Sequence, residues 1–126
     1  MKSITQTYQM KATPAQVFAA LTDPKIIEQW SGAPAQMDAR VGTQFVLFGG
    51  HIRGSNLEAV PGQKLVQAWT AGDWPQPSTV TFTLVPDAGG TRVELQHTGV
   101  PDDAHDSIDS GWDKSYLGQM QKMFEA

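Results

Sequence analysis

The stretch from Asp103 to Glu125, DAHDSIDSGWDKSYLGQMQKMFE, decides the fold. Its apolar side chains fall at Ile108, Trp112, Tyr116, Met120 and Met123, in steps of four, four, four and three. That spacing predicts one amphipathic helix with an apolar stripe along a single face. Asp102, Asp103, Asp106 and Asp109 crowd its start and Lys114 and Lys122 come later, an order that suits the helix macrodipole. Gly111 and Gly118 lie seven residues apart and share a face. Each costs up to about 1 kcal/mol relative to Ala, which predicts a close backbone approach or a bend there.

A helix with one apolar face needs a cover, and the preceding residues supply it as short strands. Residues 3–11 alternate loosely and read as the first. Thr13 and Gln16 fit a capping box, with Pro14 at the first helical position and Val17, Phe18 and Leu21 inward. Asp23-Pro24 repeats the device ahead of Ile26, Ile27 and Trp30, so two short helices follow in series. Residues 35–39 and 43–48 then read as strands. Gly49-Gly50 reads as a two-residue hairpin, returning through 51–60. Pro61-Gly62 turns the chain into 64–71, and Asp73-Trp74-Pro75-Gln76-Pro77 is a stiffened loop. Thr79–Val85 alternates strictly, placing Val80, Phe82 and Leu84 on one face. Asp87–Gly90 turns, and Arg92–Thr98 alternates again with Val93, Leu95 and His97 inward. The expected class is α+β: a curved antiparallel sheet of six or seven strands wrapped on a long C-terminal helix. Between helix and sheet lies either a pocket or a packed core.

The bulk composition narrows the function. A chain of 126 residues is read as one domain, residues 1–126, which buries roughly two-thirds of its unfolded surface. The formal net charge is −4, and the nine Lys and Arg residues are scattered, which argues against a nucleic-acid partner. No segment approaches the roughly 20 apolar residues of a membrane span, and the first residues carry no leader-like pattern. Cysteine is absent, which removes thiolate chemistry and cysteine metal sites. A cytoplasmic protein without membrane, metal or cofactor is expected.

Candidate chemistry is sparse. His51 follows a turn and His105 sits in an acidic helix start, both expected to face solvent; one inward histidine, His97, makes no constellation. The aspartates at 102, 103, 106 and 109 read as a solvated helix start. Gly49–Gly54 lacks the Lys-Ser/Thr pair of a phosphate loop, and no serine has the Gly-x-Ser-x-Gly frame. The aromatic and methionine content says more. Phe45, Trp69, Phe82, Leu84, Val93, Leu95, His97, Trp112, Tyr116 and Met120 are the candidates for a ligand cavity. Trp74, on its proline-stiffened loop, is the candidate anchor for a protein partner.

Several stretches together carry a resemblance. They are Gly32-Ala33-Pro34-Ala35, Val41–Phe45, Gly50, Gly54, Val60-Pro61, Val66–Trp69, Trp74-Pro75, Thr79–Leu84, Gly99-Val100-Pro101 and Gly111-Trp112. In order and spacing the chain resembles the C-terminal domain of the activator of heat shock protein 90 ATPase. That domain belongs to the helix-grip arrangement of the START-like, birch-pollen-allergen-like (SRPBCC) superfamily. The resemblance implies a non-enzymatic binding domain for a small apolar ligand, a heat shock protein 90 chaperone, or both. It also implies a co-chaperone-like part in the stress response. The eukaryotic co-chaperone carries a further N-terminal domain for which these 126 residues leave no room. The alternative is an enzyme of the polyketide cyclase/aromatase type, which would need inward polar groups; only His97, Gln67 and Arg53 offer themselves.

Overall fold

Strand β1 (Lys2–Met10) leads into helices α1 (Pro14–Thr22) and α2 (Pro24–Ser31) in the computed structural model, which describes residues 1–125. The expected capping box forms: Gln16 N–H donates to Thr13 Oγ1 at 3.2 Å, and Thr13 N–H donates to Gln16 Oε1 at 2.9 Å. Asp23 ends α1 and caps α2 by accepting from Lys25 N–H at 2.9 Å.

Six further strands follow: β2 (Ala35–Gln36), β3 (Gln44–Leu47), β4 (Ile52–Val60), β5 (Lys64–Ala71), β6 (Ser78–Asp87) and β7 (Gly90–Val100). All pairs are antiparallel, in the order β1-β7-β6-β5-β4-β3-β2. The predicted parity holds: Val80, Phe82 and Leu84, then Val93, Leu95 and His97 are all buried, and on β5 Leu65, Gln67 and Trp69 are buried as well. Ala88 and Gly89 turn β6 into β7 with φ of 52° and 79°, the mirror-image turn that matches strand twist.

Two strand expectations need correction. Residues 35–39 pair only as the two-residue β2. Beyond it Asp38 folds the chain back, accepting from Arg40 N–H at 2.8 Å and Thr43 Oγ1 at 2.6 Å. Gly49-Gly50 is not a two-residue hairpin. Leu47 pairs with Ile52, so Phe48–His51 form a four-residue loop with a 3₁₀ turn. Phe48 leaves the strand there with φ at 53°, costly for an aromatic residue. Its ring comes to 6.1 Å from that of Tyr116.

The C-terminal helix lies across the inner face, completing the helix-grip arrangement, but it is not uniform. After a 3₁₀ turn at Asp102–Ala104, α3 (His105–Gly111) passes through a π-helical turn (Trp112–Tyr116) into α4 (Leu117–Glu125). Leu117 N–H donates to Trp112 O, a step of five residues. This extra residue shifts the stripe. Trp112, Tyr116, Leu117 and Met120 are buried, whereas Ile108 and Met123, expected inward, are half-buried. The helix is tied to the β1 edge. Gln6 Nε2 donates to Asp109 O at 2.9 Å and Oδ1 at 2.7 Å, and Gln121 Nε2 donates to Gln9 O at 3.1 Å.

The two helix glycines, expected to share a role, have opposite ones. A Cβ on Gly118 would overlap the Asp113 carbonyl, five residues back across the π turn, while a Cβ on Gly111 meets nothing within 4 Å. Gly118→Ala is therefore expected to destabilise by about 1–3 kcal/mol through overpacking. Gly111→Ala should stabilise by about 0.5–1 kcal/mol through helix propensity. Urea unfolding of the two variants checks this, and equal effects would show that the π turn imposes no demand on Gly118.

Candidate functional site

The space between helix and sheet is filled at one end and open at the other. Phe45, Phe82, Leu84, Val93, Leu95 and Met120 are buried in the continuous core and do not line the opening. The open end is a cleft of about 340 Å³ between the β3–β4 loop and the first half of the C-terminal helix. Its apolar wall is Phe48, Ile52, Trp69, Ile108, Trp112 and Tyr116, and Gly111 lies in the wall as well. The exposed His51, Ser107 and Ser115 add polar edges. Of the ten cavity candidates, three line the cleft: Trp69, Trp112 and Tyr116. The other seven stand behind it.

The aromatic wall is continuous. Trp69 stacks on Trp112 with centroids 5.4 Å apart and planes at 25°, and Trp112 meets Tyr116 at 4.5 Å. Trp74 folds back from its loop: its half-buried ring lies 5.9 Å from Trp69 and 6.2 Å from His97.

His97 sits beneath this wall, fully buried, and its hydrogen bonds fix its state. Trp112 Nε1–H donates to His97 Nδ1 at 3.1 Å. An indole nitrogen only donates, so Nδ1 is unprotonated and the neutral ring carries its hydrogen on Nε2. His97 Nε2 lies 2.7 Å from Ser78 Oγ, and Ser78 Oγ donates to the Trp69 carbonyl at 2.6 Å. The direction is thus Trp112 to His97 to Ser78 to Trp69. A serine nucleophile needs histidine to accept its proton. Here the histidine donates, so this Ser–His contact is structural. Burial lowers the His97 pKa to about 4.

The polar groups named for an enzyme do not converge. Gln67 is buried on β5, with Nε2 donating to Asn56 Oδ1 at 3.1 Å. Asn56 Nδ2 in turn donates to the Asp38 and Arg40 carbonyls at 2.9 and 3.1 Å. Arg53 is exposed, donating to the Gly72 carbonyl at 2.7 Å. His51 is the only histidine or carboxylate in the cleft lining. His105, expected to face solvent, is partly covered and lies 3.0 Å from Asp106. Among the described residues no group of three His, Cys, Asp or Glu is placed to hold a metal, and no helix is long and apolar enough to cross a membrane. Sequence reasoning missed Phe48, His51, Ile52, Ser107, Ile108 and Ser115 as cleft residues. The only signal for that region was Gly111, a glycine where helix propensity disfavours one.

Comparison with known proteins agrees with the fold. Residues 11–125 match the family described as Activator of Hsp90 ATPase homolog 1-like protein. The chain is 28% identical over 115 residues to "Activator of 90 kDa heat shock protein ATPase homolog 2" of Mus musculus, covering 90% of this chain and 35% of that protein. It is 28% identical over 130 residues to the corresponding homolog of Dictyostelium discoideum, covering 98% of this chain and 34% of that protein. The chain thus spans about a third of the length of these curated relatives. The crystal structure of an HSP90 activator from Plasmodium falciparum superposes with a TM-score of 0.92 at 26% identity, covering 99% of this chain and 97% of that one.

The His97 network sets a pH response. An unfolded histidine titrates near 6.5, the folded His97 only at about 4. Between these values the unfolded chain binds the extra proton. Stability from the buried neutral ring is fully present above about pH 6.5 and falls as pH drops toward 4. Wild type should lose about 2–3 kcal/mol more than His97→Gln between pH 7 and pH 4.5. Urea unfolding at the two pH values measures it. Equal losses in both proteins would mean that His97 titrates alike folded and unfolded.

Proposed function

The chain belongs to the Activator of Hsp90 ATPase homolog 1-like family, and on that premise we propose that it is a non-enzymatic binding domain whose cleft takes a small apolar ligand. The observation that carries this reading is the cleft itself. Its volume, about 340 Å³, falls in the range of small-molecule sites, and six of its ten lining residues are large and apolar. Acid–base chemistry at the same place is poorly supported. His51 makes no side-chain hydrogen bond among the described residues, and the Ser78–His97 contact runs in the wrong direction for a nucleophile. A cyclase- or aromatase-like reaction would need His97, Gln67 and Arg53 in one chamber, and they lie in three separate surroundings.

The family name favours a second reading, contact with an Hsp90-type chaperone in the cytoplasm, with a part in the stress response. The curated relatives are named as activators of that chaperone's ATPase, and this chain corresponds to about a third of each. A partial match supports partial contact: weak binding and little stimulation. The exposed part of Trp74 remains the candidate anchor.

Two measurements test these readings. A fluorescent fatty-acid analogue should bind wild type, and Gly111→Leu should weaken it at least about tenfold by filling the cleft without loss of stability, since space is open at Gly111. Unchanged affinity in a folded Gly111→Leu protein would place the probe elsewhere. Calorimetry against the Hsp90 chaperone of the source organism should give weak binding, weakened further by Trp74→Ala, and the chaperone's ATPase should rise little. Strong stimulation would make chaperone activation, not ligand binding, the leading function.

A further inference from the structure

The exposed polar side chains of the cleft all belong to its edges. His51 on the β3–β4 loop and Ser107 and Ser115 on the helix are exposed lining residues, and none of the three makes a side-chain hydrogen bond among the described residues. His51 is also the one lining side chain that can take a positive charge, and the lining holds no carboxylate. The charge beside it has the same sign. Arg40 pairs with Asp38, and Arg92 with Asp87 and Glu94, whereas Arg53 has no carboxylate partner among the described residues. Its guanidinium is held instead by the carbonyls of Gly50, at 3.4 Å, and Gly72, at 2.7 Å. Gly50 precedes His51 in the chain, and Gly72 N–H donates to the His51 carbonyl at 3.0 Å. Arg53 stands on the outer face of the sheet, so it adds a field at this edge rather than a contact. Acidic groups are placed elsewhere. Asp73, beside Gly72, is exposed to water. On the helix Asp106 is bonded to His105, Asp109 accepts from Gln6 and Asp113 from Tyr8, and none of them lines the cleft.

We propose that the ligand of the cleft is an amphiphile of the carboxylic acid class, with its apolar body on the aromatic wall and its anionic head at the edge beside His51. The proposal rests on the ligand-binding reading above and adds the head group and the orientation. The apolar lining supplies the binding, and the edge chooses the head. A carboxylate taken deep among Trp69, Trp112 and Tyr116 would lose its water with no counter-charge, which is costly. At the edge it keeps part of its water, as long amphipathic side chains do when they place a charged end at a surface. There His51 offers a ring N–H, and the protonated ring makes the bond charge-assisted. An ammonium head would find no carboxylate in the lining and would be repelled by the Arg53 field. A hydroxyl head would bond as well as water does and gain little. The sign of the edge therefore separates acids from alcohols and amines that share one body.

The test is a matched set of probes, decanoic acid, decanol and decylamine, which share a body and carry an anionic, a neutral and a cationic head. Affinities are read by tryptophan fluorescence, with Trp69 and Trp112 in the wall as reporters, and the His51 ring is followed by carbon–proton correlation NMR. At about pH 6 the acid should bind wild type about tenfold tighter than the alcohol, the size of one hydrogen bond to a charged group, and the amine should bind least. Added salt should weaken the acid alone. At about pH 8.5, above the ordinary histidine range, the acid's advantage should fall at least about threefold while the alcohol holds. His51→Gln should give the smaller advantage at both pH values and leave the alcohol unchanged. The His51 ring signals should move most with the acid, and Gly111→Leu should abolish binding of all three. Equal affinities of acid and alcohol for wild type, both blocked by Gly111→Leu, would overturn the anionic head and leave ligand binding intact. An acid preference that survives undiminished in His51→Gln would overturn the site assigned to the head. Binding of none of the three to wild type, or undiminished binding to folded Gly111→Leu, would overturn the ligand-binding reading and this proposal with it.

Discussion

The indole N–H of Trp112 is buried with His97 as its acceptor. That bond joins the middle of the C-terminal helix to β7, the strand that pairs with both β1 and β6. It also fixes the histidine's tautomer, and the tautomer propagates. With its hydrogen on Nε2, His97 turns toward Ser78, and Ser78 spends its own hydrogen on the Trp69 carbonyl of β5. One helix side chain thereby engages three strands through a chain of three directed bonds. The rings follow the same path, Trp112 stacking on Trp69 and meeting His97 edge-on at 5.7 Å. A proton on Nδ1 would oppose the Trp112 donor directly. The burial that depresses the His97 pKa and the bond that orders the helix therefore reinforce each other.

The cleft is a consequence of where the helix is held. Its polar ties run to the β1 edge, through Asp109 and Gln121, and these ties also cover an edge strand that would otherwise present unpaired backbone. On the opposite side, toward β4, no comparable tie among the described residues draws the helix down, and the cleft separates it from the β3–β4 loop. The π turn adds to the asymmetry. Its extra residue brings both Tyr116 and Leu117 inward, so the helix is buried from Tyr116 to Gly118 and at Met120, while Ile108 and Gly111 in the first half stay at the margin. Phe48 accepts an unfavourable backbone to place its ring near Tyr116, closing the cleft floor without filling the mouth.

Strand parity made much of this legible in the sequence. A period of two leaves only two choices of face, so placing Val80, Phe82 and Leu84 inward also fixed Val93, Leu95 and His97 across the turn. Capping was legible for a similar reason, since Thr13, Gln16, Asp23 and Pro24 act within a few residues of themselves. The π turn was not. Trp112, Tyr116 and Met120 fall at helical spacing whether or not a residue is inserted. The demand that singles out Gly118 comes from a carbonyl five residues back, not from its neighbours in composition. The cleft was hidden by the preference for large apolar residues as wall candidates. In this fold such residues mostly pack the core, whereas the open wall includes Gly111, Ser107 and Ser115. Ser78 and His97 are 19 residues apart and meet only because β6 and β7 pair in one register.

The fold and the family fix what holds the cleft, and the cleft's chemistry has to be argued from its own atoms. Catalysis needs groups whose protonation can change where substrate sits. Here the most perturbed histidine lies behind the aromatic wall, with both nitrogens engaged, and the one cleft histidine has no orienting partner among the described residues. Binding needs less: apolar surface and a shape. The proposed binding role therefore rests on the apolar lining of the cleft rather than on any titrating group within it.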